Sequence, residues 1–184
     1  MKVEQGPLPG LLIVTPDVFP DDRGFFFESF NAARFRSHGI DLEWRQDNHV
    51  KSVRNTVRGL HFQSGEGQAK IVRCIRGKVW DVVVDIRLDS PTLGKWYGIE
   101  LTPESFRMFF VPVGFAHGYA VLSDEAEVLY KCSREYDPKL ETGFRWDDPD
   151  VAIEWPVAEP VLSKRDCTSQ SFQEYLAKAK MERR

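Results

Sequence analysis

The stretch 58-RGLHFQSGEGQAKIVR-73 reads as two short β-strands joined by a Gly-rich turn, and those strands carry an arginine, a histidine, a glutamine and a lysine. A charged or titratable side chain pointing into a small barrel must be paired, hydrated or used, because desolvating it alone is unfavourable by several kcal/mol or shifts its pKa. The stretch therefore predicts both a β-fold and a site within it.

On either side of this hairpin the same pattern continues. Nine candidate strands lie between residues 10 and 136, among them "GLLIVTP", "RGFFFESF", "KVWDVVVDIR", "RMFFVP", "GYAVLS" and "EVLYKCSREY". Connections such as "SGEGQ", "LDSPTLG" and "LSDEAE" are short and rich in Gly, Pro, Ser and Asp. They suit antiparallel hairpins and leave little room for βαβ crossovers. An all-β sandwich, jelly roll or barrel follows. Two peripheral helices are expected. One is "NAARFRSHG", with Asn31 as N-cap and Gly39 as terminator. The other spans about residues 169–182, with Phe172, Leu176 and Ala179 on one stripe and basic residues at its end. Residues 137–166, rich in acids, Pro and Trp, read as a packed loop.

The 184 residues suit one domain spanning 1–184, long enough to bury a core without a metal or disulfide. A net charge of −3, from 25 basic and 28 acidic residues, argues against a broad nucleic-acid-binding field, so an anionic ligand must be bound locally. Cys74, Cys132 and Cys167 are odd in number and lack C-x-x-C spacing, which favours buried reduced thiols and a cytoplasmic location. The opening apolar run is too short for a signal peptide or a membrane span, so neither targeting nor membrane association is expected.

Of the four histidines, His38 falls near the end of the first helix, and His49 lies in a polar strand where solvation suffices. His61 and His117 differ. "PVGFAHGY" at 112–119 has the P-x-G-x-x-H form of the second cupin motif, which raises a metal hypothesis. Metal cupins add two histidines and a glutamate from an earlier hairpin. Here that place reads His61-Phe62-Gln63-Ser64-Gly65-Glu66, a broken ligand set. No metal or other cofactor is expected. Strand alternation groups Lys70 with Val72 and Cys74, and Tyr130 with Val128 and Cys132, so an ammonium and a phenol could both point inward. In a regular strand Arg58 and His61 face opposite ways; either Gly59 marks a bulge that turns both inward, or one of them lies outside.

Taken together, "DDRGFFFESFN", "QDNH" followed eight residues later by "VRGLHFQ", "QAKIVRCIRGKVWDVVVDIR", "VPVGFAHGY", "LYKCS" and "WDDPD" resemble the dTDP-4-dehydrorhamnose 3,5-epimerase family over residues 12–166. The resemblance implies a cofactor-independent, homodimeric cupin jelly roll that binds a dTDP-4-keto-6-deoxyhexose. It implies His61 as general base, oriented by Asp166 of "SKRD", Tyr130 as opposing acid, and Lys70 beside the developing enolate. Substrate contacts are implied at Arg23, Phe26 and Glu28, reaching across the dimer, and at Gln46, Asn48, Arg58, His117, Glu141 and Arg165. The chain departs from the family's common residues at Val50, at Asn55-Thr56-Val57, at Glu135-Tyr136 and at Arg165, where a lysine is usual.

The expected chemistry follows from the substrate. In a 4-keto-6-deoxy sugar, C3-H and C5-H are both α to the C4 carbonyl, so removing either gives an enolate. One base, one acid on the opposite face and one oxyanion stabiliser then serve both carbons. The alternatives are inversion of C3 or C5 alone, a metal-dependent cupin enzyme, and a non-catalytic sugar-nucleotide-binding jelly roll.

Overall fold

Short strands that alternate in polarity can bury one face only by packing against another sheet. A computed structural model, which describes residues 1–182, shows two such sheets. One runs β1 (Lys2–Gln5), β2 (Leu12–Thr15), β10 (Met108–Val111), β7 (Lys70–Arg76), β12 (Glu125–Cys132), β5 (Gln46–Val53). The other runs β13 (Glu141–Gly143), β6 (Val57–Gln63), β11 (Phe115–Val121), β8 (Val79–Asp85), β9 (Trp96–Leu101). A separate hairpin joins β3 (Phe19–Asp21) to β4 (Gly24–Phe26). Every pairing between these strands is antiparallel, and many neighbours in each sheet are distant in sequence, as in the expected jelly roll.

Inward residues of both sheets meet in one apolar cluster that includes Val72, Val79, Val83, Phe109, Phe115, Val121 and Val128. It fills only part of the space between the sheets. The outer face of the β6–β11–β8 sheet is covered by helix α3 (Phe172–Glu182), whose Phe172 and Leu176 pack with Leu60, Phe62, Val84 and Phe144. Helix α1 (Ala32–Ser37) covers the other sheet through Phe35 and starts where expected, the Asn31 side chain accepting from the Arg34 amide.

Several boundaries differ from the sequence reading. α3 begins at Phe172 rather than near 169 because Ser171 and Glu174 form a reciprocal cap: Ser171 Oγ accepts from the Glu174 amide, and the Glu174 carboxylate accepts from the Ser171 amide. Arg183 and Arg184, among the basic residues expected at its end, lie outside the described residues. "RGFFFESF" is half of the β3–β4 hairpin rather than one long strand. The stretch read as loop over 137–166 contributes strand β13 and the start of a one-turn helix, α2 (Lys164–Cys167). All three cysteines are free; Cys74 and Cys132 are buried as expected, whereas Cys167 is exposed.

Candidate active site

The core leaves a cavity of about 370 Å³ between the sheets, lined by inward side chains of β5, β6, β7, β11 and β12. Alternation along β5 supplies one wall: Gln46, Asn48 and Val50 line the cavity and Ser52 is buried beyond them, while Asp47, His49, Lys51 and Val53 face solvent. Two more open clefts, of about 810 and 820 Å³, flank the Ser64–Gly67 loop, but no histidine lines either.

The opposite wall is β6, where Arg58 and His61 both line the cavity. Pairing with β11 explains how. His117 lies opposite His61, yet Tyr119, two residues on, lies opposite Arg58, three residues back, so β6 carries one extra residue at a bulge. Gly59 sits there with φ +117°, and a Cβ at this position would meet Gly118 Cα and His117 O at 2.7 Å. Only glycine fits that approach.

His61 Nε2 lies 2.6 Å from Asp166 Oδ1, which leaves Nδ1 as the free ring nitrogen. The carboxylate is brought from the far end of the chain by α2, where Ser163 donates from its hydroxyl to Asp166 Oδ2 and caps the helix by accepting from the Asp166 amide. Burial pushes the Asp166 carboxyl up, but the His61 hydrogen bond and charge, with the Ser163 hydroxyl, outweigh it and hold the group below the usual carboxylate range. His61 is 26% exposed and Asp166 only 3%, so the imidazole meets the cavity and the carboxylate does not.

Lys70 and Tyr130 come from β7 and β12, with the inward parity expected from their strands. The Lys70 ammonium stands 6.0 Å from the centre of the Tyr130 ring. Burial lowers the Lys70 pKa, opposed by Cys132, Asp81 and Glu141. Burial pushes the Tyr130 phenol up to about 12. Cys132 lies opposite Lys70 on the neighbouring strand and accepts a long hydrogen bond from Asn48 Nδ2.

At one end of the cavity, Glu141 on β13 accepts from the Tyr136 hydroxyl at 2.5 Å and pairs with Arg165 at 2.5 Å. Burial raises its carboxyl, but those two partners outweigh burial and leave it below the usual value. Gln46 Oε1 accepts from the Tyr136 amide, so Tyr136 is fixed at this rim. At the other end Arg58 Nε donates to Ser52 Oγ at 3.0 Å. Arg23, Phe26 and Glu28 lie outside this cavity: Arg23 pairs with Asp21, Glu28 accepts from Asn31 and pairs with Arg34, and Phe26 is 66% exposed on its hairpin.

Asp81 and Ser52 support the cavity lining from behind, although neither stood out in the sequence. His117 Nε2 faces both carboxylate oxygens of Asp81, at 2.9 and 3.0 Å, and Ser52 lies between Arg58 and the Tyr119 hydroxyl. The one available signal for Asp81 was an acid inside the valine-rich run "VWDVVVD". Among the described residues no three His, Cys, Asp or Glu side chains converge as a metal-ligand set.

The family profile described as dTDP-4-dehydrorhamnose 3,5-epimerase matches residues 5–174. A relative of that name from Shigella flexneri is 49% identical over 174 residues, 94% of this chain and 96% of its own. Another, from Methanothermobacter thermautotrophicus, is 48% identical over 162 residues, 86% of this chain and 88% of its own. The crystal structure of dTDP-6-deoxy-D-glucose-3,5-epimerase from Legionella pneumophila in complex with dTDP-4-keto-L-rhamnose aligns with a TM-score of 0.90 at 42% identity, covering 94% of this chain and 93% of that one.

Proposed function

The chain belongs to the dTDP-4-dehydrorhamnose 3,5-epimerase family, and from that premise we propose that His61 and Tyr130 invert C3 and C5 of dTDP-4-dehydro-6-deoxy-D-glucose. The activity is that of an isomerase in dTDP-rhamnose biosynthesis, with dTDP-4-dehydro-L-rhamnose as product. The observation that carries the assignment of roles is the single cavity holding a carboxylate-backed imidazole on one sheet and a phenol on the other, with an ammonium beside the phenol.

His61 Nδ1 takes the proton from the carbon α to the C4 carbonyl, and Asp166 stabilises the imidazolium that results. Negative charge moves onto the C4 oxygen, where the Lys70 ammonium and the buried His117 edge are suited to receive it in a site shielded from water. Tyr130 then gives its hydroxyl proton to the opposite face. Burial keeps that hydroxyl protonated until it is needed; before the second carbon reacts, His61 gives up the proton it gained and the Tyr130 phenolate takes one up, both through solvent. Arg58 offers a guanidinium at one end of the cavity for the anionic part of the substrate, with Gln46, Asn48 and Glu141 nearer the other.

Phe19, Phe25 and Phe26 on the β3–β4 hairpin are 58%, 60% and 66% exposed, more apolar surface than one hairpin ordinarily leaves to water. We read this hairpin as the arm of a homodimer that carries Arg23, Phe26 and Glu28 to the partner's nucleotide. Phe26→Ala should then raise KM about tenfold or more with little change in kcat. Three free cysteines suit a reducing cytoplasm, and among the described residues no helix is long and apolar enough to cross a membrane.

The roles are tested by turnover in deuterated buffer. Wild-type protein should incorporate deuterium at C3 and C5 of the product. Tyr130→Phe should keep exchange while losing inversion by at least about 10²-fold. An unchanged product from Tyr130→Phe would remove the phenol from its role.

A further inference from the structure

Every side chain lining the cavity is polar, titratable or aromatic except one: among the described residues Val50 is its only aliphatic contact. Its place is set by strand parity. On β5 it lies between Asn48 and Ser52, facing in, and its partner across the sheet is Val128, while Asn48 is paired with Tyr130. The apolar spot is therefore one inward step along the wall from the phenol that delivers the proton, between it and the Arg58–Ser52 end. Water held against a valine inside a polar pocket lacks partners, so this spot favours an apolar group of the ligand.

The sugar that enters this cavity offers one such group. We propose that Val50 receives the C6 methyl of the 6-deoxyhexose and through that contact favours inversion at C5 over inversion at C3. The inference rests on the functional reading above and adds a determinant of position to it. C6 is bonded to C5, so inverting C5 swings the methyl from one side of the ring to the other, whereas inverting C3 leaves it in place. A wall that meets the methyl on only one side changes the energy of the C5 step and leaves that of the C3 step nearly untouched. Val50 touches substrate on this view, but not the reacting atoms.

The test uses dTDP-4-keto-6-deoxyglucose in deuterated buffer with the full-length protein, and reads the ratio of deuterium at C5 to that at C3 by NMR at matched early conversion. The ratio is independent of how much enzyme is folded. Val50→Thr keeps the branched shape but replaces one methyl with a hydroxyl, and should lower the ratio by about threefold to tenfold, on the scale set by one buried methyl group. Val50→Ile keeps the apolar contact and should hold the ratio within about twofold of wild type. A Val50→Thr ratio equal to that of wild type overturns the inference. So does an equal slowing at both carbons, or a Val50→Ile ratio that falls as far as that of Val50→Thr, since shape alone would then account for it. Wild-type protein that exchanges neither carbon overturns the functional reading, and this inference with it.

Discussion

His61 and His117 stand opposite one another on paired strands, and each faces a buried aspartate, yet the two pairs are built differently. Asp81 comes from β8, the strand next to His117 in the same sheet, so that pair is part of the frame. Asp166 comes from a one-turn helix, 105 residues beyond His61 in the chain. The carboxylates are alike in burial, at 0% and 3% exposed, but the imidazoles are not: 9% for His117 against 26% for His61. The same two side chains thus make a fixed polar wall in one place and an accessible proton acceptor in the other. What separates them is the access of the ring, not the presence of a carboxylate.

The widest separation between the pairs should appear on removing each imidazole. His61→Asn is expected to abolish exchange at both carbons, a loss of about 10³-fold or more, whereas His117→Asn should slow turnover by about tenfold and retain exchange. Equal losses, measured by deuterium incorporation, would break the contrast. Next in size is Asp166→Asn, which leaves the ring in place without its counter-charge and should lower kcat by about 10²-fold. The same variant sharpens the comparison through pH. Because the Asp166 carboxyl is held below its unfolded value, the pair stabilises the fold above about pH 4, and that contribution is lost as pH falls through the lower folded value. Acid denaturation followed by circular dichroism should be steeper for wild type than for Asp166→Asn. The smallest effect belongs to the frame pair. Asp81→Leu leaves a buried imidazole nitrogen without a partner and should destabilise the protein by about 1–3 kcal/mol in chemical denaturation. Loss of exchange in an Asp81→Leu variant that remains folded would instead put Asp81 in the proton path.

This asymmetry also marks how far the sequence could be read. Period-two alternation correctly turned Lys70, Val72 and Cys74, and Val128, Tyr130 and Cys132, toward one space, because parity along a strand is a local property. The all-β class, a sandwich, jelly roll or barrel, was legible for the same reason, and the family resemblance narrowed it to a jelly roll. The Arg58–His61 question was not: a bulge depends on what lies opposite Gly59, and Gly118 is 59 residues away. Asp81 gave only the weak sign of an acid among valines, since its partner sits on another strand. Asp166 was reached through a family motif; no local pattern ties a residue on α2 to one on β6. The inversion of both C3 and C5 came likewise from kinship, as the same base and acid would serve either carbon alone.

The wall made by β5 has a consequence for how this protein can change. Because its cavity face is every second residue, deleting one position between Gln46 and Ser52 would exchange part of the set Gln46, Asn48, Val50 and Ser52 for members of the set Asp47, His49 and Lys51. Loss of one amino acid would thus bring ionic groups into an uncharged lining. New substrate preferences can therefore arise here by replacement, one side chain at a time, whereas a deletion in a regular stretch of this strand changes several lining residues at once.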